Sequence, residues 1–247
     1  MQLKRTALAT AAVMSLGAAG TAAAELTMQA DNGWEFGVGG LIPVFVTSAD
    51  YEDADRNEFD VGSGFNPATM NLRVGAPEQN GLSVSGMIGI NNHVGSGGNN
   101  FGGFGGRIAR LTVGGDFGTV HIGQTFGLFG TPAIGDAGSA KGIGGRGLRA
   151  QNATLGRIGV GYFYTDFQPQ VQFVSNRSGG VGFAASIVQP DTVTPNDEVS
   201  SPRFEARLDY SGDVLGAWVS GGYQQIDVVN SNNQLEDATM TGADVGA

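Results

Sequence analysis

Arg203 to Tyr210 reads RFEARLDY, in which Phe204, Ala206, Leu208 and Tyr210 alternate with Arg203, Glu205, Arg207 and Asp209. A period of two marks a β-strand with unlike faces, because successive side chains point to opposite sides of the sheet. The pattern recurs along the chain. Met70, Leu72 and Val74 oppose Asn71 and Arg73; Leu82, Val84, Ile88 and Ile90 oppose Ser83, Ser85 and Asn91. Ala109, Leu111 and Val113 oppose Arg110 and Thr112, and Val120 and Ile122 oppose His121 and Thr125. Glycine supplies 43 of the 247 residues. That density disfavours helix, where each glycine costs about 1 kcal/mol, so the chain reads as all-β.

The periodic segments predict strands over 34–46, 67–75, 82–92, 105–114, 118–127, 169–176, 180–189, 202–211 and 214–227. A tenth begins near Thr239 in TMTGADVGA, and the chain is expected to be incomplete at its C-terminus. The links carry further information. APEQNG (Ala76–Gly81), GGDFG (Gly114–Gly118), NRSGG (Asn176–Gly180) and SGD (Ser211–Asp213) are short. Thr47–Asn66, Asn92–Gly106, the stretch from Leu128, and Gln189–Pro202 are long. Strict short–long alternation is the habit of a transmembrane barrel, with tight turns on one side and long loops on the other. RIGVGYFY (Arg157–Tyr164) resembles a strand, but counting it as one breaks the alternation. Leu128 to Gln168 is therefore assigned to one long third external loop. A loop of that length is expected to be functional or structured.

The first 24 residues read as a secretory signal peptide: Lys4 and Arg5, a soft apolar stretch from Thr6 to Ala19, then Ala22-Ala23-Ala24 before Glu25. No later stretch reaches the ~18 apolar residues of a spanning helix. A membrane location would then require a closed β-barrel, the other structure that satisfies every backbone polar group in lipid. A net charge of −10 argues against a nucleic-acid partner, because phosphate binding needs a basic surface. The absence of cysteine excludes disulfides and thiolate sites. Mean hydropathy of −0.04 fits alternating strands.

The hairpin LTVGGDFGTVHIGQ resembles the fourth-to-fifth strand hairpin of Gram-negative general porins. The signal segment, a first strand near Trp34, a long third loop after Phe126 and the pair QVQFVSNRSGGVGFAASIV agree with that resemblance. It implies an antiparallel transmembrane β-barrel of the 16-stranded porin type, filled with water. Residues 1–24 would be the signal and 25–247 an incomplete barrel domain. It also implies an outer-membrane location in a Gram-negative bacterium, contact with outer-membrane lipid, and a homotrimer. The third loop would fold inward and narrow the pore. Leu111, Val113, Val120 and Ile122 would then face lipid, and Arg110, Thr112, His121 and Thr125 the lumen.

The resemblance nominates Arg73, Arg110, His121 and Gln124 for the lumen wall, with Asp136, Lys141, Arg146 and Arg149 on the third loop. Gln124 stands where relatives often carry Arg. Asp136 is the lone carboxylate between Leu128 and Tyr164, so the acidic patch usual on this loop is thin, while Arg157 adds to its positive charge. Fixed charges across a narrow constriction create a strong field that orients polar solutes.

Other features read more plainly. SADYEDADRNEFD (Ser48–Asp60) is rich in carboxylates but lacks the regular spacing of a calcium loop, and reads as an exposed acidic loop. His93 and His121 are not spaced as a metal pair. The runs GIGGRG and GNNFGGFGG lack the Gly-Lys-Ser/Thr ending of a phosphate loop. Asn152-Ala153-Thr154 reads as plain loop. No GxSxG or HExxH is present, so the expectation is a protein that is not an enzyme and needs no cofactor or metal. The leading reading is a porin for passive diffusion of ions and small hydrophilic solutes. The alternatives are a substrate-selective channel for anionic solutes and a secreted Gly-rich β-protein that binds a surface.

Overall fold

The computed structural model describes residues 24–42, 44–51, 56–62, 67–92, 105–134, 167–190, 201–229 and 234–246. Eleven antiparallel strands form one sheet in which each strand pairs with its neighbour along the chain. They are β1 (Ala24–Gln29), β2 (Glu35–Leu41), β5 (Ala68–Gly75), β6 (Ser83–Asn92), β7 (Gly105–Gly115), β8 (Gly118–Phe126), β9 (Phe167–Val174), β10 (Val181–Val188), β11 (Arg203–Ser211), β12 (Gly216–Val229) and β13 (Leu235–Gly246). Two further strands, β3 (Phe45–Tyr51) and β4 (Arg56–Gly62), pair only with each other within the link from β2 to β5. A four-residue helix, α1 (Thr131–Ile134), follows β8.

Three expectations are corrected. The strand expected over 34–46 ends at Leu41, and its second half belongs to the separate β3–β4 hairpin, where a plain loop was expected. β1 was not anticipated. The last strand begins at Leu235 rather than Thr239 and pairs with β12 along its whole length. Except for Ala24, which opens β1, the amino-terminal signal segment lies outside the described residues.

One end of the sheet carries only tight connections. Between β5 and β6, Gln79 and Leu82 exchange both backbone hydrogen bonds, at 3.0 and 2.9 Å. Asn80 and Gly81, with φ of 54° and 74°, sit between them. Two successive positive φ values define the hairpin turn whose twist matches that of the strands, and Asn-Gly is its preferred sequence. The turn from β9 to β10 repeats this with Gly179 and Gly180. The links β7–β8 and β11–β12 lie at the same end, where Gly212 N–H donates to the Leu215 carbonyl at 2.9 Å. The links 42–67, 93–104, 127–166 and 189–202 all leave from the other end. Direct antiparallel pairing of β8 with β9 means that 127–166 starts and finishes at one end, as the loop assignment required.

The two faces are opposite in character, and the exposure is inverted. On β9, Val171 is 49% exposed while Gln170 and Gln172 are 6% and 7% exposed. On β11, Phe204 is 47% exposed and Glu205 5%. On β10, Val181, Phe183 and Ile187 stand out while Ala184, Ser186 and Val188 are buried. Leu26, Phe36, Val38, Met70, Leu72, Val74, Ile88, Leu111 and Ile122 continue the apolar face across the other strands. Water strongly disfavours so large an apolar surface, at roughly 25 cal/mol per Å². Contiguous exposure on this scale marks contact with a membrane or a partner.

Candidate functional site: the polar wall and the start of the third loop

Pairing carries the polar face from strand to strand. Arg73 on β5 pairs with Met87 on β6, and Met87 with Arg110 on β7. At a strand spacing of ~4.8 Å, the two arginines stand about 10 Å apart on one row. The Arg73 guanidinium lies 3.3 Å from a Glu25 carboxylate oxygen on β1, and both side chains are substantially exposed. Arg110 is held from two sides: Nη1 donates to Thr125 Oγ1 at 3.2 Å, and Nη2 lies 3.8 Å from Met87 Sδ. Thr112 and His121, paired across β7 and β8, share a 2.9 Å hydrogen bond between Oγ1 and Nδ1.

Gln124 falls elsewhere. It pairs with Ala109 and Pro169 and has the parity of Val120 and Ile122, so its register position is on the apolar face, against the lumen expectation. Period two alone dictates this, since His121 and Thr125 are odd-numbered neighbours on the polar side. Asp136, Lys141, Arg146 and Arg149 lie outside the described residues, as do Arg157 and His93.

A second polar row lies under the start of the third loop. His121, Gln172, Ser186, Glu205, Gly222 and Gly242 are successive partners from β8 to β13. The chain leaving β8 follows this row. Gln170 Nε2 donates to the carbonyls of Thr125 and Phe126 at 2.9 and 3.0 Å. Gln172 Nε2 reaches the Phe126 carbonyl at 3.4 Å. Two strands further on, Glu205 Oε2 accepts the N–H groups of Leu128 and Phe129 at 2.5 and 3.2 Å. Arg203 Nε lies 3.1 Å from Glu205 Oε1, close enough for an ion pair though not aligned as a hydrogen bond. The Phe129 ring then rests over Gly222 and Gly242. Thr131 Oγ1 closes the turn by donating to the Gly127 carbonyl. The segment thus crosses about four strand spacings, ~19 Å, over the polar face.

None of Gln170, Gln172, Glu205, Phe129, Gly222 or Gly242 was nominated from the sequence. The one local signal was the charge of Glu205 within RFEARLDY, which told its face but not its partner.

An apolar band turned outward, a polar face turned inward and a loop folded across that face define the wall of a transmembrane β-barrel. The chain belongs to the Gram-negative porin family, whose pattern it matches over residues 9–247, and its place is the outer membrane. No curated protein matches its sequence significantly. Among solved structures, it is similar to the anion-selective porin from Comamonas acidovorans, with a TM-score of 0.59 and 18% identity over 85% of this chain and 63% of that one. It is also similar to the outer membrane channel DcaP of Acinetobacter baumannii, with a TM-score of 0.54 and 16% identity over 89% of this chain and 60% of that one. The chain thus spans less than two thirds of either structure.

Proposed function

We propose that this chain forms wall and constriction of a water-filled outer-membrane channel, through which ions and small hydrophilic solutes diffuse passively. The observation that carries this reading is the inverted exposure of the sheet, with Val171 and Phe204 outward and Gln172 and Glu205 inward. Such a sheet suits lipid on one side and water on the other. No step of bond chemistry is needed. Solutes are sorted by size at the third loop and by the field of fixed lumen charges. Lys141, Arg146, Arg149 and Asp136 belong to that loop in this reading. Export by the amino-terminal signal and assembly as a homotrimer are proposed on the family resemblance.

Arg73 and Arg110 on one row favour a second, finer reading, a preference for anionic solutes. The anion-selective character of the Comamonas protein points the same way. Single-channel recording of the full-length protein in planar bilayers tests both. Stepwise ohmic conductance is expected, with a reversal potential in a KCl gradient on the anion side. Silence from correctly folded protein would overturn the channel. A cation-side potential would overturn the preference.

A further inference from the structure

We propose that Glu205 is a positioning residue for the third loop, a carboxylate latch that seats the loop's first residues across the pore and so sets its width. The inference rests on the channel reading and deepens it by naming the group that holds the constricting segment.

The geometry is specific. Glu205 is buried on the polar face, and one carboxylate oxygen gathers two consecutive N–H groups, those of Leu128 and Phe129, from 77 and 76 residues away. Charge-assisted hydrogen bonds of this kind are roughly twice as strong as neutral ones. The other oxygen faces Arg203, so the anion is compensated on the side away from the loop. Before the latch, the chain presents carbonyls to Gln170 and Gln172; at the latch, it presents N–H groups to Glu205. The polarity of the wall therefore matches the chain direction. After the latch, Phe129 needs the bare backbone of Gly222 and Gly242. A Cβ at Gly242 would lie 2.5 Å from the Phe129 ring. Carboxylate and glycine platform occupy one row of paired residues, so the wall carries a receptor shaped for this turn.

The chain has no cysteine, which permits a direct test. A Cβ at Gly222 lies 3.7 Å from the Phe129 Cβ, within the ~3.5–4.5 Å that a disulfide requires. The F129C/G222C pair is placed in the full-length protein, folded in detergent, and its oxidation followed by gel mobility. With Glu205 present, rapid and near-complete cross-linking is expected. In the added presence of E205A, the rate should fall about tenfold or more, as the loss of two hydrogen bonds to a charged group implies. E205Q, which keeps one acceptor oxygen, should fall between. Equal rates in all three, or no cross-link with Glu205 intact, would overturn the latch. Conductance is read in parallel. E205A alone should raise open-channel noise and conductance, and oxidation of F129C/G222C in the E205A background should restore the quiet state. A channel whose noise and conductance ignore E205A would also overturn the latch's role in the pore. A silent parent protein would instead sink the channel reading, while the cross-linking rates would still decide whether Glu205 seats the loop.

Discussion

Arg110 donates through Nη1 to the Thr125 hydroxyl at 3.2 Å, linking β7 to β8 across the polar face. A flexible arginine in open water would sample many rotamers. This one is held between Thr125 and Met87 Sδ, so its charge has a fixed place on the wall. A fixed charge biases permeation more reproducibly than a mobile one, because solutes meet the same field at each passage.

Replacing that charge should alter ion preference. At about 7 Å in water, one unit charge is worth about 0.6 kcal/mol, or roughly a threefold change in permeability ratio. Arg110→Gln should lower the anion-to-cation ratio by about that factor, and Arg110→Glu by about its square. Reversal potentials in a KCl gradient would show it. Arg73→Gln should act more weakly, since Glu25 at 3.3 Å already offsets part of its charge.

The two faces should respond oppositely to charge. Leu111 on the apolar face and Thr112 on the polar face are adjacent in β7. Leu111→Arg should cost about 2–4 kcal/mol of folding free energy in a bilayer, the cost of arginine near the lipid midplane. Thr112→Arg should cost far less. Urea titration of folding into vesicles measures both.

Phe129 over Gly242 predicts a packing effect with no charge change. Gly242→Ala places a methyl 2.5 Å from the ring and must displace it. The third loop carries Lys141, Arg146 and Arg149, all trypsin sites. Digestion of folded Gly242→Ala protein should be faster at these sites by about tenfold, the equivalent of losing ~1.4 kcal/mol of seating energy. Unchanged digestion would mean that the ring contact does not hold the loop.

The β5–β6 turn offers a purely conformational test. A Cβ at Gly81 meets nothing within 4 Å, yet its φ is 74°. Gly81→Ala should therefore destabilise by about 1–2 kcal/mol through left-handed backbone strain alone. The urea midpoint should shift while conductance stays unchanged.

What the sequence made legible follows from how local each signal is. Strand faces such as Leu111 against Thr112 are written in period two, and the third loop emerged from the order of short and long links. The β3–β4 hairpin was hidden because FVTSADY and RNEFDVG lie in an acidic stretch whose charges mask alternation. β1, AELTMQ, was hidden by its position beside the signal segment. Gln124 was placed by resemblance against its own parity, and the register moved it to the other face. Glu205 and Leu128 are far apart in the chain, and nothing local announces a bond between them.

The central claim is that one face of this sheet meets lipid and the other water. The cysteine-free chain allows single cysteines to be placed in turn at 109–113 and 119–125, then probed in sealed vesicles with a charged, water-soluble maleimide. Reactivity should alternate, high at Arg110, Thr112 and His121 and low at Leu111, Val113, Val120, Ile122 and Gln124. Uniform reactivity along both strands, or high reactivity at the apolar positions, would contradict the account.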